Sequence, residues 1–314
     1  VLCEFARSFP DKLANLLDRS VNLRRNFREE TATELLVMGL VPLEPFGVRV
    51  DLPDEEKTGA DMDWIYAAPH DVGGGSYLRL MIQAKRAKCA RRKGGDYWYY
   101  SHLDHGDPKG AQAQTLVTHA ATSPDGMKTL PLYMFYHPRS AIDPPATGRP
   151  DVEGINIVFA SDVEPVANGG CGVDDKKVDR WRDSFMSFSD LLCWPVLRPS
   201  PNPPAPDATQ FLGPEGLSPA SYVEAAWHPD IVADRLNELQ VSRGTDHGAG
   251  SVRIEAGQGI PDHIQRAINR KETAEDRLRI ERPRVIFSTS FSRESAGFMR
   301  ARETMSGRRG RSES

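Results

Sequence analysis

The chain has 314 residues, of which 39% are hydrophobic and 27% charged, and its formal net charge is −4. That length fills one large domain or two modest ones, and no run approaches the roughly 18–20 apolar residues of a membrane helix. The weakly acidic balance argues against a protein that coats nucleic acid by bulk electrostatics, so contact with a polyanion would need a local basic patch.

In chain order, residues 11–40 read as helical, with Leu13, Leu16, Leu17, Phe27, Leu35, Leu36 and Met38 spaced among charges. Asn22 or Asn26 could cap a second helix there, and Gly39 could stop it. Gly47–Leu52 reads as extended, closed by Pro53 and the acidic turn 54–57. Residues 61–66 and 76–86 read as two strands joined by the turn-rich stretch 69–75. The glycines at 73–75 lack the following Lys-Ser/Thr pair of a phosphate-cradling loop, so a hairpin turn is the expectation. A helix follows at 109–121, a strongly apolar strand at 130–137 suited to a sheet centre, a strand at 154–160 and an amphipathic helix at 175–194. Helices are expected at 218–240 and 262–280, and a strand at 284–288.

The domain reading is a main domain over 1–198, a Pro-rich linker at 199–217, a C-terminal extension at 218–299 and a disordered basic tail at 300–314. Cys3, Cys89, Cys171 and Cys193 form no close pair of the zinc-knuckle or redox type, so free thiols in a reducing cytoplasm are expected. No apolar segment with a small-residue cleavage site begins the chain, in keeping with a cytoplasmic expectation.

The chemistry gathers on the two strands. Side chains alternate faces along a strand, so Leu78, Leu80, Ile82 and Ala84 share an apolar face. Tyr77, Arg79, Met81, Gln83 and Lys85 share the other, and Asp61, Asp63 and Ile65 share one face of the preceding strand. If the strands pair, one or both carboxylates meet Gln83 and Lys85. Carboxylates, an amide and waters suit a hard octahedral cation, with a lysine to align or deprotonate a nucleophile. The bland alternative is a surface hairpin whose charges solvate it. From Arg79 to Lys93 every charged residue is basic (Arg79, Lys85, Arg86, Lys88, Arg91, Arg92 and Lys93), which favours polyanion contact at this place.

The segments Gly59-Ala60-Asp61-Met62-Asp63-Trp64 and Tyr77 through Arg86, with a glycine-bearing turn between them, resemble the PD-(D/E)xK nuclease superfamily. The nearest variant is the Mrr-like type, in which Gln stands at the acidic position before the lysine. The chain also resembles an uncharacterised bacterial family with E-E-T-x-T-E, G-A-D-x-x-W and Q-A-K-R elements, here at Glu29–Glu34, Gly59–Trp64 and Gln83–Arg86. The likeness covers roughly residues 20–140 and follows the superfamily order of helix, strands, helix, strand.

It implies an α/β, restriction-endonuclease-like core, a mixed sheet flanked by helices, with helical additions and the C-terminal extension. It implies an endonuclease, a Mg²⁺- or Mn²⁺-dependent phosphodiesterase acting on DNA, with RNA as second choice and bacterial defence as the setting. Asp61 fits the metal-binding position, with Asp63 its competitor. Gln83 fits the metal-contacting position usually held by Glu or Asp, Lys85 the catalytic lysine and Glu30 the first-helix carboxylate. Glu34, one turn on, and Gln112, opening the next helix, are further candidates, each weighed against plain helix-surface polarity. Arg86, Lys88, Arg91, Arg92 and Lys93 would hold the nucleic acid. Gln83 donates less charge than a carboxylate, so the alternative is a non-catalytic nucleic-acid-binding or assembly module that keeps the fold. A homo-oligomer is compatible with the sequence, and no membrane partner is expected.

Beyond this core, the aromatics of Asp96-Tyr97-Trp98-Tyr99-Tyr100 could stack on bases, or simply anchor a loop in the core. His102 and His105 have a ligand-like spacing with no Cys or further His near them, and His119 and His137 read as structural histidines. No serine-hydrolase elbow or dinucleotide fingerprint is present.

Overall fold

The computed structural model describes residues 2–22, 27–53, 61–69, 75–91, 93, 95–123, 125–142, 149–193, 227–242, 253–278 and 280–289. Linker residues 199–217, the tail 300–314 and Arg92 lie outside the described residues.

The N-terminal helices are α1 (Leu2–Asn22) and α2 (Glu29–Leu40). Helix α1 starts earlier than expected because Leu2, Ala6, Leu13 and Leu17 make one buried stripe. Gly39 does not stop α2; the chain continues as a 3₁₀ turn over Val41–Phe46 and turns at Gly47, φ 86°. A Cβ there would lie 2.7 Å from the Ser288 carbonyl oxygen, so both conformation and space call for glycine.

Strands β1 (Val48–Asp51), β2 (Met62–Ala68) and β3 (Ser76–Arg86) follow, then the short pair β4 (Lys88–Ala90) and β5 (Tyr97–Tyr99). Next come α3 (Ala111–Thr122), β6 (Thr129–Tyr136), β7 (Ile155–Phe159) and α4 (Ala160–Ala167). The helix expected over 175–194 is instead α5 (Val178–Trp181), β8 (Met186–Ser187) and α6 (Phe188–Leu192), with 3₁₀ turns before and after α5. The reason is local alternation: Phe185 and Met186 enter different cores on the two sides of the sheet, and Ser187 and Asp190 form a capping box that restarts a helix. The described C-terminal elements are α7 (Pro229–Ser242), β9 (Gly257–Gln258), α8 (Asp262–Ile268), α9 (Ala274–Leu278) and β10 (Arg284–Ser288). The single helix expected at 262–280 is thus two, interrupted where Arg270 takes a positive φ of 55°.

The main sheet runs β1-β10-β2-β3-β6-β7-β8, with β9 added to β3. Pairing is parallel at β10/β2 and β3/β6 and antiparallel at the other joints, so the fold is α/β with a mixed sheet. Every residue of β3 is buried, the polar Ser76, Arg79, Gln83, Lys85 and Arg86 included, so the strand is covered on both faces. Leu78, Leu80, Ile82 and Ala84 join the large core with residues of α1, α2 and α7. Met81 joins the core of the other face, with Tyr133, Phe135 and residues of α3 and α4.

The C-terminal part is not an appendage to this sheet. Strand β10 lies between β1 and β2, with Val285 and Phe287 in one core and Ile286 in another. The stretch read as a C-terminal extension, 218–299, thus supplies an inner strand of the sheet, because burial of the Val-Ile-Phe run on both faces demands an interior place. The cysteines also differ from the free-thiol expectation. Cys3 and Cys193 are joined as a disulfide with Cα atoms 5.0 Å apart, while Cys89 and Cys171 are free. A sequence separation of 190 residues hides such a pair until the chain is folded. Among the described residues, no helix is long and apolar enough to cross a membrane.

Candidate active site

The antiparallel register of β2 and β3 pairs Met62 with Ile82 and Asp63 with Met81. The Asp61 amide continues the ladder to the Ile82 carbonyl at 3.0 Å, which brings Asp61 beside Gln83. Its Oδ2 accepts from Gln83 Nε2 and from the Ala84 backbone N–H, both at 2.5 Å. With Nε2 spent this way, Gln83 is 1% exposed and its buried Oε1 has no hydrogen-bond partner among the described residues.

Lys85 is 2% exposed. Its Nζ donates to Gln112 Oε1 at 3.0 Å and lies 3.6 Å from Glu29 Oε1, so α2, β3 and α3 converge on one ammonium. Burial raises the Asp61 carboxyl from 3.8 to about 7; Lys85 and the Ala84 N–H pull it down, and Glu29 and Glu30 push it further up. Desolvation wins because no arginine compensates this carboxylate as one does at Asp63.

Asp63 shares the face of Asp61 but not its role. It is 6% exposed and ion-paired to Arg79 at 2.6 Å and to Arg282 at 3.3 Å, and Arg79 also reaches Asp125 at 2.7 Å. Two guanidinium groups already neutralise it, so the expected metal ligand is a structural anion. Glu30 and Glu34 are both exposed on α2, and the α2 carboxylate that reaches Lys85 is Glu29. The signal for Glu29 was available, since Thr33, Leu36, Val37 and Leu40 continue its helical stripe and all are buried. Glu30 instead aligns with exposed Glu34 and Met38. Gln112, a further candidate weighed against helix-surface polarity, accepts from Lys85 Nζ.

Of the basic run, Arg86 is buried and donates to the Phe27 carbonyl, while Lys88, Arg91 and Lys93 are exposed on or beside the β4–β5 hairpin. His102 and His105 stack edge to face at 5.7 Å. His102 is held below its ordinary value by partial burial, then by Lys88, with Glu29 opposing, which sets it near the same site. Buried His137 bonds Tyr100 Oη at 2.6 Å and the Glu153 carbonyl at 2.7 Å, and burial lowers it to about 4. That is a satisfied neutral histidine.

Among the described residues no group of three His, Cys, Asp or Glu side chains converges as a metal site. The oxygen donors are Asp61 beside Gln83, Glu29 beside Lys85, and the Gln83 amide oxygen, buried without a partner among the described residues. This all-oxygen set suits a hydrated hard cation rather than zinc. A family model described as a family of unknown function, DUF6615, matches residues 2–294, a span that includes every described element from α1 to β10. No curated protein matches the chain, and no solved structure does.

Proposed function

The chain belongs to the DUF6615 family, and we propose that it is a metal-dependent nuclease with a restriction-endonuclease-like core that hydrolyses phosphodiester bonds, in DNA before RNA. The observation that carries this reading is the buried lysine between Gln112 and Glu29, two residues along the strand from an Asp61–Gln83 pair whose amide oxygen lacks a partner among the described residues. The order α2, β1, β2, β3, α3, β6 supports it, being the helix, strands, helix, strand order that the resemblance implies. Strand β10, between β1 and β2, is an addition to that order.

Asp61, Glu29 and the Gln83 Oε1 would hold Mg²⁺ or Mn²⁺. When bound, the ion would polarise the phosphate and lower the pKa of attacking water. The remaining work falls to the chain. Gln112 and Glu29 restrict the Lys85 ammonium to one position, so that it donates to the attacking water or to a phosphate oxygen as negative charge grows there. Burial excludes bulk water and makes that single charge count for more than it would on the surface. Water adds to phosphorus, the ester P–O bond breaks, and the leaving oxygen takes up a proton.

The specific observation favouring a non-cleaving module is the amide at Gln83, together with a site of only two close carboxylates. Purified protein incubated with plasmid, single-stranded DNA and RNA in Mg²⁺ or Mn²⁺ separates the two. We expect cleavage that falls by about 10²–10³ in Lys85→Ala and Asp61→Ala, a loss typical of removing one preorganised stabiliser. Cleavage that persists unchanged in both variants would sink the site, and binding without cleavage would favour the module.

A further inference from the structure

We propose that the cavity beside the end of β3 binds an unpaired nucleotide of a single nucleic-acid strand, with its phosphate on Arg86 and its base against Trp98 and Tyr99. The inference rests on the nuclease reading of the neighbouring site and adds the form of the substrate. The cavity measures about 850 Å³ and is lined by Arg86, Lys88, Arg91, Trp98 and Tyr99, with Asp18 and Asp96 also present. That volume lies within the roughly 300–1,000 Å³ usual for small-ligand sites, enough for a nucleotide but not for a duplex.

The anion subsite is argued from Arg86. It is 7% exposed, it bonds the Phe27 carbonyl, and its Nε has no hydrogen-bond partner among the described residues. No described carboxylate stands within ion-pair distance of it, whereas on the same sheet Arg79 holds Asp63 and Asp125 and Arg284 holds Asp51. Desolvation lowers its pKa with no acidic neighbour opposing. A buried guanidinium without a counter-ion is costly, and a phosphate entering the cavity supplies that counter-ion with matched geometry. Asp18 does not serve, because its two oxygens accept from the Ser140 N–H at 2.9 Å and hydroxyl at 2.6 Å.

The base subsite follows from the hairpin. The β4–β5 register sets Lys88 opposite Tyr99 and Cys89 opposite Trp98, so one cation stands beside one aromatic ring, and Trp98 and Tyr99 both line the cavity. Paired bases in a duplex are covered on both faces by their neighbours, and only an unpaired base can offer a face to such a wall. Arg86, which lines the cavity, follows Lys85 at the end of β3, with its side chain on the opposite face of the strand.

The test is fluorescence anisotropy in EDTA with labelled oligothymidylate and with its duplex with oligoadenylate, for wild type, Trp98→Leu and the Lys88→Ala/Arg91→Ala double variant. Leucine keeps an apolar group against the core, and the two cations are exposed, so folding is spared. We expect the single strand to bind more tightly than the duplex, and Trp98→Leu to weaken the single strand alone by about tenfold. The double variant should flatten the plot of log K against log salt by about 1.4, two phosphate contacts for a single strand. Equal affinity for both forms, unchanged in either variant, would overturn the cavity. Metal-dependent cleavage with that result would leave the nuclease reading standing. Cavity-dependent binding without any cleavage would remove the nuclease reading and keep the cavity.

Discussion

The run Asp61-Met62-Asp63 carries an acid at each of its two ends, on the same face, and the fold treats those two ends in opposite ways. At one end Asp63 is closed off by Arg79 and Arg282, and Asp125 completes a network of two carboxylates and two guanidinium groups. At the other end Asp61, Glu29 and Lys85 leave two carboxylates to one ammonium, an amide oxygen lacks a partner, and burial raises the Asp61 carboxyl to about 7. The first arrangement is settled by the protein itself. The second is incomplete without a proton or a cation. A buried acid is thus no mark of function until its counter-charges are counted.

The largest test of this contrast is at the closed end. Asp63→Ala leaves two buried guanidinium groups short of an anion and should cost about 3–5 kcal/mol in chemical denaturation. A loss no greater than that of an exposed acid such as Glu34 would show that the network is not what neutralises Asp63.

A smaller effect, on the order of 2 kcal/mol, is expected from pH at the open end. The folded Asp61 carboxyl titrates near 7 against its ordinary 3.8, so folding favours the protonated form. The stability it contributes is full below about pH 4 and is lost as pH rises through 7. In metal-free buffer, wild type should therefore lose more stability between pH 5 and pH 8 than Asp61→Asn does. Equal losses would mean that the carboxyl is compensated after all.

The smallest effects sharpen which first-helix acid belongs to the open end. Glu29→Gln should lower cleavage by about tenfold, the scale of one charge-assisted contact. Glu34→Gln should leave cleavage within twofold and stability within about 0.5 kcal/mol. Reversal of that order would return the role to the outer face of α2.

Much of this site was legible in the chain because its core is local. A strand's period of two puts Gln83 and Lys85 together and Asp61 opposite them, while burial of their mixed face is seen only in the folded sheet. The stripe Glu29, Thr33, Leu36, Val37 and Leu40 was equally readable. The resemblance pointed to Glu30, with Glu34 one turn on, whereas the buried stripe carries Glu29 to Lys85.

Tertiary structure alone decided what lies far apart in sequence. Arg282 neutralises Asp63 across 219 positions, β10 enters the sheet between β1 and β2, and Cys3 meets Cys193. By itself the sequence determined which side chains share a face, because backbone geometry fixes that within a few residues. It could not determine which charges would be balanced, because a counter-ion is chosen by distance in space, and distance between remote segments exists only once the sheet has closed around them.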